Sequence, residues 1–563
     1  MAPQDAVLSA PRALSGVERL KESSRRLRGN LAAELANGGS QVTEDGYNLL
    51  KFHGSYEQYD RDTATARKQV GEEKEYSFML RVRMPGGILT AAQYLALDGL
   101  ADQYGNGTLR ITTRQGVQFH GIIKENLKPT VAAINATLLT TQAACGDVVR
   151  NVMTTPAPLR DPNHIRLVAD AKLLSATLLP ASRAYHQIFL DEPDNGETED
   201  EPLYGATYLP RKFKIAIAAP HDNTPDIFAN DLGFLAIFEN DTLLGYNVAI
   251  GGGFGMTHNR RDTFPAVASL VGFVGPDQLL QAAKAVIAFQ RDHGDRSDRK
   301  RARLKYVVAD RGLDWVREQL ITTYALPLQP VHAMPPIEVP ELLGWHDQGD
   351  GLLWLGVPLP SGRIEDSEAT HLRTALREIV ERFGTDPVMT PQQDVLLTNI
   401  NPRHRVAIEN LLRSYKVELS EDLTPLSRWA LACPALPTCG LALTEAERVR
   451  APLIARFETL FASHGLADER LSLRITGCPN GCARTYTGDI GLVGRVPGSY
   501  AIYVGGDFAG TRLSYKLHER VKEEALETTL APVVAAFAAG RASNEGFGDF
   551  CSRLGAESLL ALT

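Results

Sequence analysis

The sequence predicts an α/β protein with mixed sheets, duplicated into two pseudo-symmetric halves. Three observations carry this. The 563 residues amount to about four units of roughly 150 residues each. Met84-Pro85-Gly86-Gly87-Ile88 is echoed by Leu359-Pro360-Ser361-Gly362-Arg363 at an offset of 275, and Ile111-Thr112-Thr113-Arg114-Gln115 by Met389-Thr390-Pro391-Gln392-Gln393 at an offset of 278. A helix-like stretch follows each of the first two motifs, and Arg150 falls opposite Arg428.

Taken in order, Ser77 to Met84 alternates Phe78, Leu80, Val82 and Met84 with Met79, Arg81 and Arg83, which predicts a half-buried strand. Thr90 then caps a helix over Ala91 to Gln103, with Leu95, Leu97 and Leu100 facing inward. Leu109 to Arg114 and Val117 to His120 read as two strands around a Gln115-Gly116 turn. Asp191 to Pro202 reads as a surface loop, its acidic run Glu197 to Glu201 solvated, and Leu328 to Gly351 as a linker between halves.

Composition narrows the function. A net charge of −8 and 22% charged residues argue against a nucleic-acid partner, and no apolar run approaches the roughly 20 residues that cross a bilayer, so no membrane partner is expected. Met1 to Gly16 lacks the basic-then-apolar order of a secretory signal, so the cytoplasm is the expected location. Neither G-x-G-x-x-G nor a P-loop occurs; reducing equivalents would then come from a partner.

Against the acidic background, positive charge collects on strand faces. Alternation puts Arg110, Thr112 and Arg114 on one side, Gln118 and His120 together on the next strand, and Lys212 and Lys214 opposite Phe213, Ile215 and Ile217. In the second copy Arg110, Arg114, Gln118 and His120 become Val388, Gln392, Leu396 and Thr398, so only one half keeps the charge. Such faces suit a compact polyanion, because guanidinium forks pair bidentately with oxyanions.

Four of the six cysteines form two pairs, Cys433-x5-Cys439 and Cys478-x3-Cys482. The wide first spacing and the lack of a nearby histidine argue against zinc and for a [4Fe–4S] cluster. Cys145 and Cys551 stand alone and read as packed thiols, and Gly251-Gly252-Gly253 reads as a place of close backbone approach. An iron–sulfur carrier or sensor and a zinc-organised binding module are readings of other classes; the first leaves the basic faces unexplained.

The two cysteine pairs, Arg110-Ile111-Thr112-Thr113-Arg114-Gln115, Leu209-Pro210-Arg211-Lys212-Phe213-Lys214 and the duplication together resemble the sirohaem-dependent sulfite and nitrite reductases, most of all their NADPH-linked assimilatory sulfite-reducing haemoprotein branch. The resemblance runs from about Leu14 to Phe550. It implies a cluster on Cys433, Cys439, Cys478 and Cys482, the Cys482 sulfur also ligating sirohaem iron. It further implies a substrate cage of Arg81, Arg150, Lys212 and Lys214, and macrocycle contacts from Arg110, Thr112, Arg114, Gln118, His120 and Asn480. The implied reaction is six-electron reduction of sulfite to sulfide, with nitrite reduction as the alternative. The implied donor is an NADPH-oxidising FAD/FMN flavoprotein, with ferredoxin as the alternative and, in that case, a Cys145–Tyr56 link. The layout it implies is an N-terminal arm (1–75), a ferredoxin-like repeat (76–145), a sirohaem-binding α/β unit (146–345), a second repeat (346–421) and a cluster-ligating unit (422–563), with both cofactors where the halves meet.

Overall fold

A computed structural model describes residues 13–196 and 199–563. Four sheets form two related pairs. In the first small sheet the strands run Ser55–Tyr59, Tyr76–Arg81, Val117–Ile122, Leu109–Ile111 and Arg363–Ile364, all antiparallel. Its counterpart runs Asp386–Met389, Val395–Ile400, Leu353–Val357 and Gly344–Asp347. Chain order within the two is the same: strand, tight turn, helix (Ala91–Tyr104 or Leu372–Phe383), hairpin, helix (Leu127–Ala136 or Arg405–Ser414).

The larger sheets also match. Ile215–Ala218, Leu232–Glu239, Thr242–Ile250 and Ser269–Val274 pair parallel, antiparallel and antiparallel before the helix Leu279–His293. Leu473–Thr476, Ile490–Val496, Ser499–Val504 and Tyr515–Lys522 repeat that pattern before Leu526–Gly540, with Leu431–Ala432 added as an outer parallel strand. The duplication expected from the motif echoes is therefore the architecture.

The echoed motifs sit where the copies interlock. Arg363–Ile364 of the second copy pairs with Leu109–Ile111 of the first, and Ile88 of the first bridges Val388 of the second. At these crossings a Cβ on Gly87 would lie 2.3 Å from the Met389 carbonyl and one on Gly362 2.4 Å from the Ile111 carbonyl, so glycine is required at both. Gln115 and Gln393, both with positive φ, donate to the Gly86 and Ser361 carbonyls of their own turns. One apolar core runs through both small sheets, including Phe78, Leu97, Phe119, Leu376 and Leu397, and a second fills the last α/β unit around Phe457, Ile490 and Phe537.

Thr90 caps its helix as expected and forms a reciprocal box with Gln93. Leu97 and Leu100 are buried and Leu95 half-buried. Four expectations are corrected. The strand containing Arg81 is buried on both faces, since Met79 and Arg83 lie inside as well. Leu109 to Arg114 is a strand only to Ile111; beyond it the Thr112 hydroxyl accepts from the Arg114 and Gly116 amides and turns the chain. The inter-half linker contains the strand Gly344–Asp347. The acidic run starts outside the described residues at Glu197, but Glu199 pairs with Arg28, and Glu201 is buried, accepting from Ser182 N and Tyr208 OH. Glu199 and Glu201 thus tie the run to the body of the protein, while Asp200 is exposed as expected.

Candidate active site

Two adjacent parallel strands end side by side and carry the first cysteine of each pair: Leu431–Ala432 leads into Cys433, and Leu473–Thr476 into Gly477 and Cys478. The Cys433 amide continues the ladder to the Ile475 carbonyl, and the Gly477 amide donates to Cys433 Sγ at 3.3 Å. A Cβ on Gly477 would sit 2.5 Å from the Thr444 carbonyl and 2.7 Å from Ala435 Cβ, so the two loops approach this closely only with glycine there. Asn480 Nδ2 lies 3.5 Å from Cys478 Sγ. Burial, and then the neighbouring cysteines, push the Cys433 thiol far up and the Cys478 thiol to about 12. Cys433 and Cys478 are buried, Cys439 is half-buried and all three are raised in part by the exposed Cys482, so the four thiols are neighbours, a donor set that a cationic metal cluster relieves. No three His, Cys, Asp or Glu side chains among the described residues are spaced for a single ion.

The other half of the chain closes over this centre. Arg110 Nη2 donates to the Ala432 carbonyl at 3.0 Å, Thr113 Oγ1 to the Cys482 carbonyl at 3.1 Å, and the Met256 amide to the Pro479 carbonyl. Cys482 is exposed, and burial pushes Lys214 down to about 7, with Arg114 and Arg303 adding to the shift and Asp231 and Cys482 opposing it. Around Lys214 the structure gathers Arg81, Arg114, Arg150 and Lys212. Burial, then Lys214 and Arg150, hold Lys212 well below its ordinary range; burial, then Arg150, bring Arg114 to about 9. Residues of the three predicted faces thus lie near one another: Arg81 is close to both Arg114 and His120, Arg114 to Lys214, and Arg110 and Lys214 to Cys482.

The chamber wall is fixed from behind. Arg114 donates to Asn230 Oδ1 at 2.7 Å and the Asn151 carbonyl at 2.6 Å. Arg150 donates to the Gly146 carbonyl, and its Nη2 lies 3.4 Å from Tyr56 OH. Arg81 donates to Cys145 Sγ at 3.1 Å, and Tyr56 hydrogen-bonds the same sulfur. Asp147 takes a bidentate pair from Arg299 at 2.8 and 3.2 Å, lies 3.6 Å from the buried Lys21 of the arm, and faces Arg211 at 3.8 Å. Glu18, beside Lys21 at 2.5 Å, also pairs with Arg296.

The other predicted contacts are placed as follows. Arg110 is buried by the thiols and lies 3.3 Å from Glu447, and the Thr112 hydroxyl is used in its own turn. Gln118 is buried. His120 keeps Nδ1 against Gln58 at 3.3 Å and is held neutral by burial and by Arg363 and Arg110. The Nε atoms of Arg81 and Arg114 and Nε2 of His120 are buried without a hydrogen-bond partner, and Arg110 Nε has only the Glu447 carboxylate at 3.3 Å. A row of orphaned donors on one wall fits a polycarboxylate macrocycle with its acid groups turned to them.

Sequence reading missed Asp231, Arg303 and Lys305. Asp231 accepts from Arg303 Nε at 2.7 Å and the Lys214 amide at 2.9 Å, and Lys305 donates to the Gly253 and Gly255 carbonyls. The basic run Arg299 to Lys305 was the available signal. Gly252 and Gly253 do allow close approach, a Cβ on Gly253 meeting the Arg303 guanidinium at 2.4 Å.

Fold and site together define an internally duplicated redox protein in which a four-thiol centre meets a cationic chamber. The profile of the nitrite and sulphite reductase 4Fe-4S domain matches residues 169–327 and 427–563, and that of the nitrite/sulfite reductase ferredoxin-like half domain matches 70–137 and 346–415. Similar proteins include the sulfite reductase [NADPH] hemoprotein beta-component of Myxococcus xanthus, 46% identical over 97% of both chains. That of Xanthomonas oryzae pv. oryzae is 47% identical over 96% of both. The sulfite reductase [ferredoxin] of Synechococcus elongatus is 44% identical over 98% of this chain and 91% of its own. The Mycobacterium tuberculosis NirA structure shares the fold at a TM-score of 0.80, with 24% identity over 97% of both chains. The chain belongs to the nitrite and sulphite reductase family.

Proposed function

We propose that this chain is the haemoprotein subunit of an assimilatory sulfite reductase and reduces sulfite to sulfide for cysteine synthesis. The observation that carries the reading is the gathering of Arg81, Arg114, Arg150, Lys212 and Lys214, with Lys214 beside Cys482 of the four-cysteine set. Cys433, Cys439, Cys478 and Cys482 would hold a [4Fe–4S] cluster, and Cys482 would also help hold sirohaem. Arg110, Thr112, Arg114, Gln118, His120 and Asn480 would face the macrocycle. Sirohaem bound there would supply an iron centre for the anion and one-electron chemistry.

The protein's own part is electrostatic and protonic. Arg81 and Arg150 hold oxyanion charge that would be costly to strip of water unpaired. Each bisulfite needs as many protons as electrons, and ammonium groups already depressed by burial release theirs readily, which suits Lys212 and Lys214 to deliver protons to departing oxygens. The same reading assigns residues 1–75 to an arm, 76–145 and 346–421 to ferredoxin-like repeats, and 146–345 and 422–563 to the units holding sirohaem and cluster. The donor is a separate NADPH-oxidising partner, in keeping with the NADPH and beta-component in the names of those relatives, and the family resemblance implies an FAD/FMN flavoprotein; a ferredoxin is the alternative, named in the Synechococcus relative. No helix among the described residues is long and apolar enough to cross a membrane, in keeping with a cytoplasmic enzyme.

Protein purified from a sirohaem-making host should show a Soret band and about five irons per chain. It should turn over sulfite in preference to nitrite with a chemical reductant, and its spectrum should not change on adding NADPH alone. Colourless protein containing zinc would overturn the cofactors, preference for nitrite would overturn the substrate, and direct reduction by NADPH would overturn the separate donor.

A further inference from the structure

A cavity of about 340 Å³ opens in the second half and shares no lining residue with the cationic chamber. Its size falls within the range of small-molecule sites. The internal repeat explains why it exists. In the first half Arg83 turns inward and its guanidinium donates to Ser175 Oγ and to the Ala143, Val149 and Ser175 carbonyls. The Arg83 amide also pairs with the Thr140 carbonyl. The offset of 275 puts Pro358 in place of Arg83, and the offset of 278 puts Glu418 in place of Thr140 and Ser427 in place of Val149. Pro358, Glu418 and Ser427 all line the cavity. The second half therefore has space where the first has a guanidinium.

The wall offers groups of both signs. Arg428 spends Nε and Nη2 on the Leu423 and Ser420 carbonyls, and Arg450 spends its own on those of Ala430 and Ser427. Among the described residues neither Nη1 makes a hydrogen bond; that of Arg428 lies 3.7 Å from Glu341. On the acceptor side, Asp394 Oδ1 takes the Leu359 amide at 2.9 Å, which leaves Oδ2 available. Gln392 Oε1 is buried with no partner, and Glu418 adds a carboxylate. Burial raises the Asp394 carboxyl to about 7 although the Leu359 amide and Arg450 oppose the shift, so a further cation placed beside it would help restore its charge. Arg450 faces Asp394 and Glu341 faces Arg428 only at longer range, and Lys416 adds a further cation to the wall, so a ligand carrying both signs would engage more of these groups than an anion or a cation alone.

We infer that this cavity is a binding site for a small zwitterion of the α-amino acid class, its carboxylate on Nη1 of Arg428 and Arg450 and its ammonium on Asp394 and Gln392. Because Ser427, Arg428 and Ala430 lead directly into Cys433, a bound ligand braces the segment that carries the first thiol.

Calorimetry and thermal unfolding of the holoenzyme would use L-serine, L-alanine, L-glutamate and L-arginine, which sample small, acidic and basic side chains. Glycerate and ethanolamine would serve as carboxylate-only and ammonium-only controls. At least one amino acid should bind once per chain and raise Tm, with both controls at least about ten-fold weaker. Pro358→Arg, which supplies the side chain of the first repeat, should abolish binding and leave sulfite turnover intact. The near-isosteric Asp394→Asn should weaken binding about ten-fold. Failure of all four amino acids, equal binding of the controls, or undiminished binding in folded Pro358→Arg and Asp394→Asn would each overturn the site.

Discussion

Lys214 is the side chain on which charge and proton supply meet. Burial, with Arg114 and Arg303 beside it, brings its ammonium down to about 7, so in the free protein it loses its proton as pH rises through neutrality. The unfolded chain keeps that proton to about 10.4, so the cost of this residue to the fold shrinks as pH rises across that window, while its capacity to donate falls. Sulfite turnover should therefore decline above neutrality in the wild type and decline at higher pH in Lys214→Arg. Lys214→Met should lose about 10²–10³ in rate at equal cofactor content, with sulfite hit harder than nitrite. Phe213→Leu, at a buried position facing the core, should cost stability and leave the rate ratio of the two anions unchanged. The cations were legible because basic residues alternating with apolar ones have few other uses on a strand. Asp231 was not: one acid between Asn230 and Leu232 carries no pattern, and only the fold shows that it neutralises Arg303 and holds the Lys214 amide.

At the scale of elements, the turns and helices announced themselves through local chemistry. Thr90 with Gln93 and the Pro-Gly or Pro-Ser turns write their geometry into a few adjacent residues, so the repeat could be aligned on them. Elements made by partners far along the chain left no such trace. The two-residue strand Arg363–Ile364 has no period to read, and the stretch after Ile111 bends because Thr112 uses its hydroxyl on its own turn. The cysteine loops lie between these cases: their spacing was visible, but not that parallel neighbouring strands deliver Cys433 and Cys478 side by side. Gly477→Ala tests that delivery. With a methyl group 2.5 Å from the Thr444 carbonyl, one loop must withdraw, and the purified variant should contain well under the four cluster irons while keeping the far-UV spectrum of the wild type. Full iron content would show that the loops are free to separate.

For the whole molecule, the crossing of Arg363–Ile364 into the first sheet and of Ile88 toward the second means that neither half completes its own sheet contacts. Asp98, buried in a first-half helix, adds to the dependence by pairing with Arg373 of the second at 2.6 Å. Chains divided between residues 330 and 340 should yield halves that aggregate when made separately and recover absorbance and turnover when made together; two monomeric, cooperatively melting halves would disprove the dependence. Reciprocal exchange of equivalent segments is the geometry of a two-fold homodimer, in which each subunit lends its neighbour what it borrows. Joined in one chain, the lenders are free to differ. Val388 and Leu396 have become core where Arg110 and Gln118 are polar, and Pro358 has become small where Arg83 is large. A symmetric pair must carry every substitution twice, once in each chamber. Fusion lifted that constraint, so the first lobe could keep the cationic residues while its twin took the four cysteines and opened a separate cavity, without a change in the scaffold.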